Sequence, residues 1–459
     1  MTRADVIQQA YDRFDRGDVK HILARRIAYA SESQNQDGGD ILRAYLEEEI
    51  RPSLQAMGFT ITLVEHPLYP QVPFLIAERI EHPDLPTLLS YGHGDVVFGD
   101  KQNWREDLHP WVLVEEDDRW YGRGSADNKG QHTINLMALE QIYRARGNKL
   151  GFNCKLLFEM GEEIGSPGLA DICRRYKQQL AADIFIASDG PRLNAERPTL
   201  FLGSRGCINF RLSIHARKQA YHSGNWGGLL SNPGTQLANA IASLVDGKGR
   251  MRIETLLPPA LTPSMQRILS QVAPGGNAGD PDIDLQWGAE GLTPAERLFG
   301  WNTLEVLSFI AGDPDKTVNA IPACATALCQ LRFVVGTDWQ RLAAHLRQHL
   351  DKHGFDNVKI EMLNASPATR FDPEDPLVNR TLELMRNITG KQPALLPNLG
   401  GSLPNDVFAD ILGLPTLWIP HSYPACGQHG VNEHLLKSVA REGLAIMTGL
   451  LWELGERTH

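Results

Sequence analysis

Between Phe59 and Gly190 short apolar runs alternate with polar turns, and the runs at its centre end on a glycine beside a carboxylate or an imidazole. FTITLVEH, FLIAERI, TLLSYGHGD, CKLLFEMGEE and DIFIASDG have the length and the β-branched and aromatic content of strands, whereas NKGQHTINLMALEQIYRA repeats its apolar residues at helical spacing. Strands interleaved with a helix require an α/β core with an at least partly parallel sheet. In such sheets ligands collect at the carboxyl ends of strands, so the polar residues there are the first candidates for chemistry.

The 459 residues exceed what one core organises, since single cores stop growing at roughly 250 to 300 residues. Two amphipathic helical stretches, residues 3 to 28 and Asp40 to Met57, precede the strands. From about Gly206 the pattern changes. INFRLSIHAR, NPGTQLANAIASLVDG, TLEVLSFIAG, ATALCQLRFVVG, WQRLAAHLRQHLDKHG and VKIEML read as strand, helix, two strands, helix and strand, with a Pro/Gly-rich stretch from Leu256 to Gly300. This order predicts a ferredoxin-like α+β unit with an antiparallel sheet, inserted at 206–370 into a discontinuous α/β domain formed by 1–205 and 371–459. The outer domain is expected to be a mixed sheet flanked by helices, closing with a helix at Leu377 to Ile388, the short strand PTLWIP and a helix from His434 to Leu454.

A content of 42% apolar and 22% charged residues excludes a mostly disordered or fibrous chain. The net charge of −10 removes any global attraction to nucleic acid or anionic lipid. No uncharged apolar run approaches the ~20 residues that span a bilayer, and the opening MTRADVIQQAYDRFDRGD lacks the apolar core of a secretory signal. Six scattered cysteines without a C-x-x-C pair read as free thiols in a reducing compartment. The expectation is a cytoplasmic protein without membrane or nucleic-acid partners.

Five segments place carboxylates and imidazoles at the ends of apolar runs: YGHGDVV (His93, Asp95), GRGSADNKG (Asp127), MGEEIGS (Glu162, Glu163), ASDGP (Asp189) and ACGQHGVNEH (His429). Each alone is more often a solvated loop or a satisfied polar network. Together, acidic groups with no Lys or Arg run nearby repel unless cations hold them. Two imidazoles and three carboxylates give each of two ions three protein ligands if one carboxylate bridges, with open positions left for water. Nitrogen and oxygen ligation without thiolate suits Zn²⁺, with Mn²⁺ or Co²⁺ as substitutes.

The order H-x-D-V, G-R-G-x-x-D-x-K-G, G-E-E-x-G-S, S-D, H-S-G, N-x-I-P with a downstream Arg, G-G-S and H-x-x-N-E resembles the M20 family of cocatalytic dinuclear zinc hydrolases, from about Ser90 to Glu433. The resemblance implies a zinc-peptidase-like catalytic domain and an inserted lid that dimerises. It makes Asp127 the bridging ligand, with His93 and Asp189 completing one site and Glu163 and His429 the other. Asp95 matches the aspartate that orients an imidazole ligand. Glu162 matches the general base, which takes a proton from the metal-bridging water and later delivers one to the leaving nitrogen. The Asp127–Asn128 peptide is often cis in relatives.

By the same resemblance, His222 of YHSGNWGG reaches the partner subunit's active site and stabilises the oxyanion. Asn319 matches a substrate contact. Arg332 matches the arginine that forks onto a C-terminal carboxylate, and Gly400, Gly401 and Ser402 bind that carboxylate too. His132, His421 and His434 stand outside the motif frames and are expected to pack or cap, Asn432 to cap the last helix, and Trp104 and Trp120 to pack.

Aspartate rather than glutamate at Asp189, together with H-S-G, G-G-S-L-P and the long insertion between Ser243 and Trp301, favours hydrolysis of dipeptides or short peptides with a free C-terminal carboxylate. An N-acyl-amino-acid amidohydrolase of the aminoacylase or desuccinylase type is the alternative. A metal-binding scaffold without catalysis is a third reading, against which the retained Glu162 argues.

Overall fold

The computed structural model describes residues 1–35, 38–276, 280–313, 315–316 and 318–456. Residues 277–279, part of the expected Pro/Gly-rich stretch, lie outside the described residues.

Eight strands form the large sheet, in the order Thr60–His66, Tyr69–Arg79, Asn153–Glu159, Thr87–His93, Ile184–Ala187, Thr416–Trp418, Thr199–Phe201 and Ala394–Leu396. Tyr69–Arg79 runs antiparallel to both of its neighbours, whereas Asn153–Glu159, Thr87–His93, Ile184–Ala187 and Thr416–Trp418 are mutually parallel. Strand Asn153–Glu159 is buried along its whole length, which requires helices over both faces. The helix Lys129–Ala145 and the final helix Lys437–Glu456 pack against each other and contribute Ile134, Leu139, Leu444 and Leu451 to the largest core cluster. The architecture is the expected mixed α/β sheet flanked by helices.

A second sheet carries four strands in the order Thr303–Ile310, Cys324–Phe333, Gly206–His215 and Lys359–Ser366, each pair antiparallel. Alternate residues of Gly206–His215 (Ile208, Phe210, Leu212, Ile214) and of Cys324–Phe333 face a core shared with helices Pro233–Leu244 and Leu342–Lys352. Between these elements, Met265, Leu269, Val272, Ala295 and Phe299 leave the small sheet and pack with Phe201, Leu396 and Trp418 of the large one. The middle of the insertion therefore bridges the two sheets.

Three elements differ from their expected form. The helix expected over residues 3 to 28 breaks into Arg3–Asp15 and Asp18–Ile27, because Gly17 takes a left-handed conformation (φ 90°) between them. The stretch from Asp40 contains a π-helical turn at Tyr45–Ile50, flanked by Gly39–Ala44 and Arg51–Gln55. The final helix begins at Lys437 rather than His434, because His434–Leu436 pairs as a strand with Arg119–Tyr121. Asp118 then caps that helix, accepting from the Ser438 amide at 2.9 Å. Asn432 accordingly caps no helix: it has φ 58°, and its Oδ1 accepts from the Arg105 amide at 2.8 Å.

Candidate active site

Three neighbouring parallel strands deliver four of the site residues at their carboxyl ends. His93 ends Thr87–His93, Glu162 and Glu163 follow Asn153–Glu159 after a glycine, and Asp189 follows Ile184–Ala187. Asp127 stands at the amino end of helix Lys129–Ala145, where the helix dipole favours negative charge. The peptide between Asp127 and Asn128 is cis.

Asp127 is the shared element. Its Oδ1 lies 3.0 Å from His93 Nε2, and its Oδ2 lies 3.1 Å from His429 Nε2. Asp189 Oδ2 approaches His93 Nε2 at 3.6 Å, and Glu163 Oε2 approaches His429 Nε2 at 3.0 Å. The five residues thus divide into two triplets with Asp127 common to both. Donor atoms of His93, Asp127 and Glu163 all lie within 4.8 Å of one another.

The surrounding loops are held by carboxylates. Asp95 is wholly buried, lies 3.3 Å from His93 Nδ1, and accepts the amides of Glu162 and Glu163 at 3.2 and 3.1 Å. One side chain therefore orients a ligand imidazole and seats both glutamates. Glu433, also buried, accepts the amides of Gly124, Ala126 and Asp127 at 2.9 to 3.0 Å and an Arg123 guanidinium nitrogen at 2.8 Å. Because Glu433 follows His429 by four residues, it ties the two halves of the His429 triplet together.

Burial first, and then the repulsion of Asp127, raise the carboxyls around this centre: Glu163 to about 7 and Asp189 to about 6. Burial also drives Glu162 well above its ordinary value; the His93 charge opposes this, and Asp189 and Glu163 add to it. Burial works against ionisation of Asp127 too, but hydrogen bonds from His429 and His93 keep it ionised. Hydrogen bonds to Asp127 and Glu163 raise His429 to about 11. Protons thus stand in for positive charge at a centre rich in carboxylates. Asp189 Oδ2 is buried without a hydrogen-bond partner among the described residues. A mixed imidazole and carboxylate donor set with an orphaned buried oxygen fits two divalent cations.

A cavity of about 1070 Å³ opens from this centre. Asp127, Glu162, Glu163, Asp189 and His429 line one end, and Arg332, Gly400, Gly401 and Ser402 line another part. Arg332 Nη1 donates to Ser402 Oγ at 2.9 Å, so two residues distant in sequence meet there. His222 and Asn319 are not brought to this cavity within the chain. His222 lies on a separate ribbon in which Tyr221–His222 pairs with Ala320–Ile321, Asn319 adjoins that ribbon and its carbonyl accepts from the Ser223 amide at 2.7 Å, and His222 is exposed.

The three histidines that stand outside the motif frames are engaged elsewhere. His132 bonds Tyr45 Oη at 2.6 Å, His421 bonds Ser188 Oγ at 3.0 Å, and His434 bonds Tyr423 Oη at 2.6 Å. Burial raises the Cys426 thiol to about 12, away from the range in which a thiolate nucleophile forms. Trp104 and Trp120 are buried, the latter stacked on Phe14. Sequence reasoning missed Arg205, which lines the cavity, and Gln428, whose amide donates to Asp127 Oδ2. It also gave Glu433 no role, although the residue closes the H-x-x-N-E frame; Arg205, in GSRG, carried no comparable signal.

The sequence model of peptidase family M20/M25/M40 matches residues 89–453. A β-Ala-His dipeptidase of Mus musculus is 25% identical over 411 residues, covering 84% of this chain and 81% of its own. A cysteinylglycine-S-conjugate dipeptidase of Corynebacterium striatum is 27% identical over 409 residues, 84% of each chain. The crystal structure of an M20 family metallo-carboxypeptidase from Sulfolobus solfataricus superposes with a TM-score of 0.80 at 27% identity, covering 95% of this chain and 99% of the other.

Proposed function

This chain belongs to peptidase family M20/M25/M40, and from that premise we propose that it hydrolyses the amide bond of dipeptides or short peptides bearing a free C-terminal carboxylate. The observation that carries the reading is the sharing of Asp127 between two triplets in the same cavity as Glu162 and the Arg332–Ser402 pair.

His93, Asp127 and Asp189 would hold one divalent ion and Asp127, Glu163 and His429 the other, with Zn²⁺ the first choice and Mn²⁺ or Co²⁺ as substitutes. When bound, the ions supply positive charge that polarises the scissile carbonyl and acidifies water. Glu162 lines the cavity and is not counted among the ligands, so it is free to accept the proton of the attacking water and pass one to the leaving nitrogen. Burial raises its pKa well above the ordinary carboxylate value, which makes it a stronger base than an exposed glutamate. Arg332 and Ser402 hold the substrate carboxylate.

We place His222 in the site of a second subunit, since it is exposed here and outside the cavity of its own chain. The pairing would run through the small sheet, whose edge strand Thr303–Ile310 exposes Val306, Leu307, Phe309 and Ile310. Six free cysteines support the cytoplasm as its compartment, and among the described residues no helix is long and apolar enough to cross a membrane.

The dipeptidase names of the curated relatives favour peptides over N-acyl amino acids, whose bond is chemically almost the same. Turnover of a dipeptide panel against N-acetyl amino acids tests the choice. Higher kcat/KM on dipeptides is expected, and a clear preference for the acylated set overturns it.

A further inference from the structure

Arg205 stands beside Arg332 in the cavity wall. The two strands that end there pair Arg332 with Cys207 and Phe333 with Gly206, which sets Arg205 just past the end of that ladder. Arg205 is 7% exposed. Its Nε donates to the Gly400 carbonyl at 3.0 Å, while its buried Nη1 has no hydrogen-bond partner among the described residues. Arg332 donates from Nε to Gln330 Oε1 and from Nη1 to Ser402 Oγ, both at 2.9 Å, and Ser402 Oγ donates to the Arg205 carbonyl at 2.9 Å. The carboxylate that acts on Arg205 is Glu305, through its charge and without a hydrogen bond, while the Arg332 charge opposes it.

A buried charge without a counterion is costly, and two adjacent like charges are costlier still. Burial, with the Arg332 charge adding to it, lowers the Arg205 pKa to about 10, so the group remains charged at neutral pH. An anion placed between the two forks removes both penalties, and its hydrogen bonds would be charge-assisted. Both arginines line the same cavity as Glu162 and Glu163.

We propose that Arg205 is a second substrate-binding guanidinium, gripping the free carboxylate of the substrate jointly with Arg332. The inference rests on the reading of the chain as a hydrolase of substrates with a free carboxylate. A purely structural Arg205 would only hold the Gly400 carbonyl, and the two roles separate by experiment.

Metal-loaded wild type, Arg205→Met, Arg205→Lys and Arg332→Met are assayed on Ala-Leu, its C-terminal amide, and Ala-Glu. Loss of a charge-assisted bond lowers kcat/KM of Arg205→Met on both free acids by about 10- to 100-fold, mainly through KM, with under about twofold change on the amide. Arg332→Met follows the same pattern, and Arg205→Lys, which keeps the charge without the fork, falls between. Equal losses on acid and amide would make Arg205 structural, and a loss confined to Ala-Glu would make it a reader of the side chain; either overturns the proposal. If wild type cleaves N-acetyl-leucine but no dipeptide, the dipeptidase reading fails, and the ratio of N-acetyl-leucine to N-acetyl-leucinamide turnover decides Arg205 in the same way.

Discussion

Glu162 and Glu163 are chain neighbours with divergent duties: one oxygen of Glu163 meets the His429 imidazole at 3.0 Å, while Glu162 turns to the cavity. Glu162→Gln is therefore expected to keep its metal content and to lose at least about 100-fold in kcat, on the scale of general acid–base contributions. Metal analysis beside steady-state kinetics checks this, and undiminished turnover removes Glu162 from the reaction. A second prediction concerns protons. In the metal-free protein Glu163, Asp189, His93 and His429 hold protons that the unfolded chain releases earlier, because their folded pKa values lie above the ordinary ones. At these four groups the folded state binds more protons than the unfolded state from about pH 5 upward, so they make metal-free stability fall as pH rises. The buried His132 and His421, whose pKa values are lowered, act in the opposite sense below the ordinary histidine range. Thermal melts of stripped and metal-loaded protein from pH 5 to 8 should show the decline in the stripped form and a smaller one when loaded, with protons released on metal addition. Most of this centre was legible in the sequence because each ligand sits in a short frame with glycine neighbours. Arg205 was not, since its meaning arises only when a strand from residue 324 onward brings Arg332 beside it.

At the scale of elements, the site is the product of strand ends and one helix start. Gly130 shows how tight that start is: a Cβ there would meet the Ser125 carbonyl oxygen at 1.9 Å. Gly130→Ala is thus expected to destabilise the protein by about 1 to 3 kcal/mol, as overpacking does, and to lower metal affinity by displacing the loop that carries Asp127. Denaturant unfolding and metal titration measure the two effects; a variant as stable and as avid as wild type would show that the loop adapts. The strands 60–66, 87–93 and 153–159 were readable because apolar runs end sharply at turn residues. The strand His434–Leu436 was not, because its register is imposed by Arg119–Tyr121, more than three hundred residues earlier. The short helices Pro263–Leu269 and Pro294–Gly300 were hidden for a related reason: their apolar residues are explained by the large sheet they pack on, and their own periodicity is too brief to register.

For the whole molecule, the inserted unit carries His222 on an exposed ribbon and an apolar edge strand, while its middle is packed on the catalytic sheet. A second subunit that completes the site predicts complementation. Mixing His222→Ala with Asp127→Ala, each nearly inactive, should restore part of the activity in verified heterodimers, because one of the two sites is then intact. No recovery would return His222 to its own chain or remove it from the reaction. The acidic balance acquires a local meaning as well: three of the carboxylates in the −10 formal charge, Asp127, Glu163 and Asp189, are the ones proposed to hold the two ions. The most direct test is to strip the protein with chelator and titrate Zn²⁺ or Mn²⁺ back while following dipeptide hydrolysis and bound metal together. Activity should vanish on stripping and return to a plateau at two ions per chain. Hydrolysis that survives thorough stripping, or that saturates at one ion, would contradict a centre in which Asp127 serves two metals.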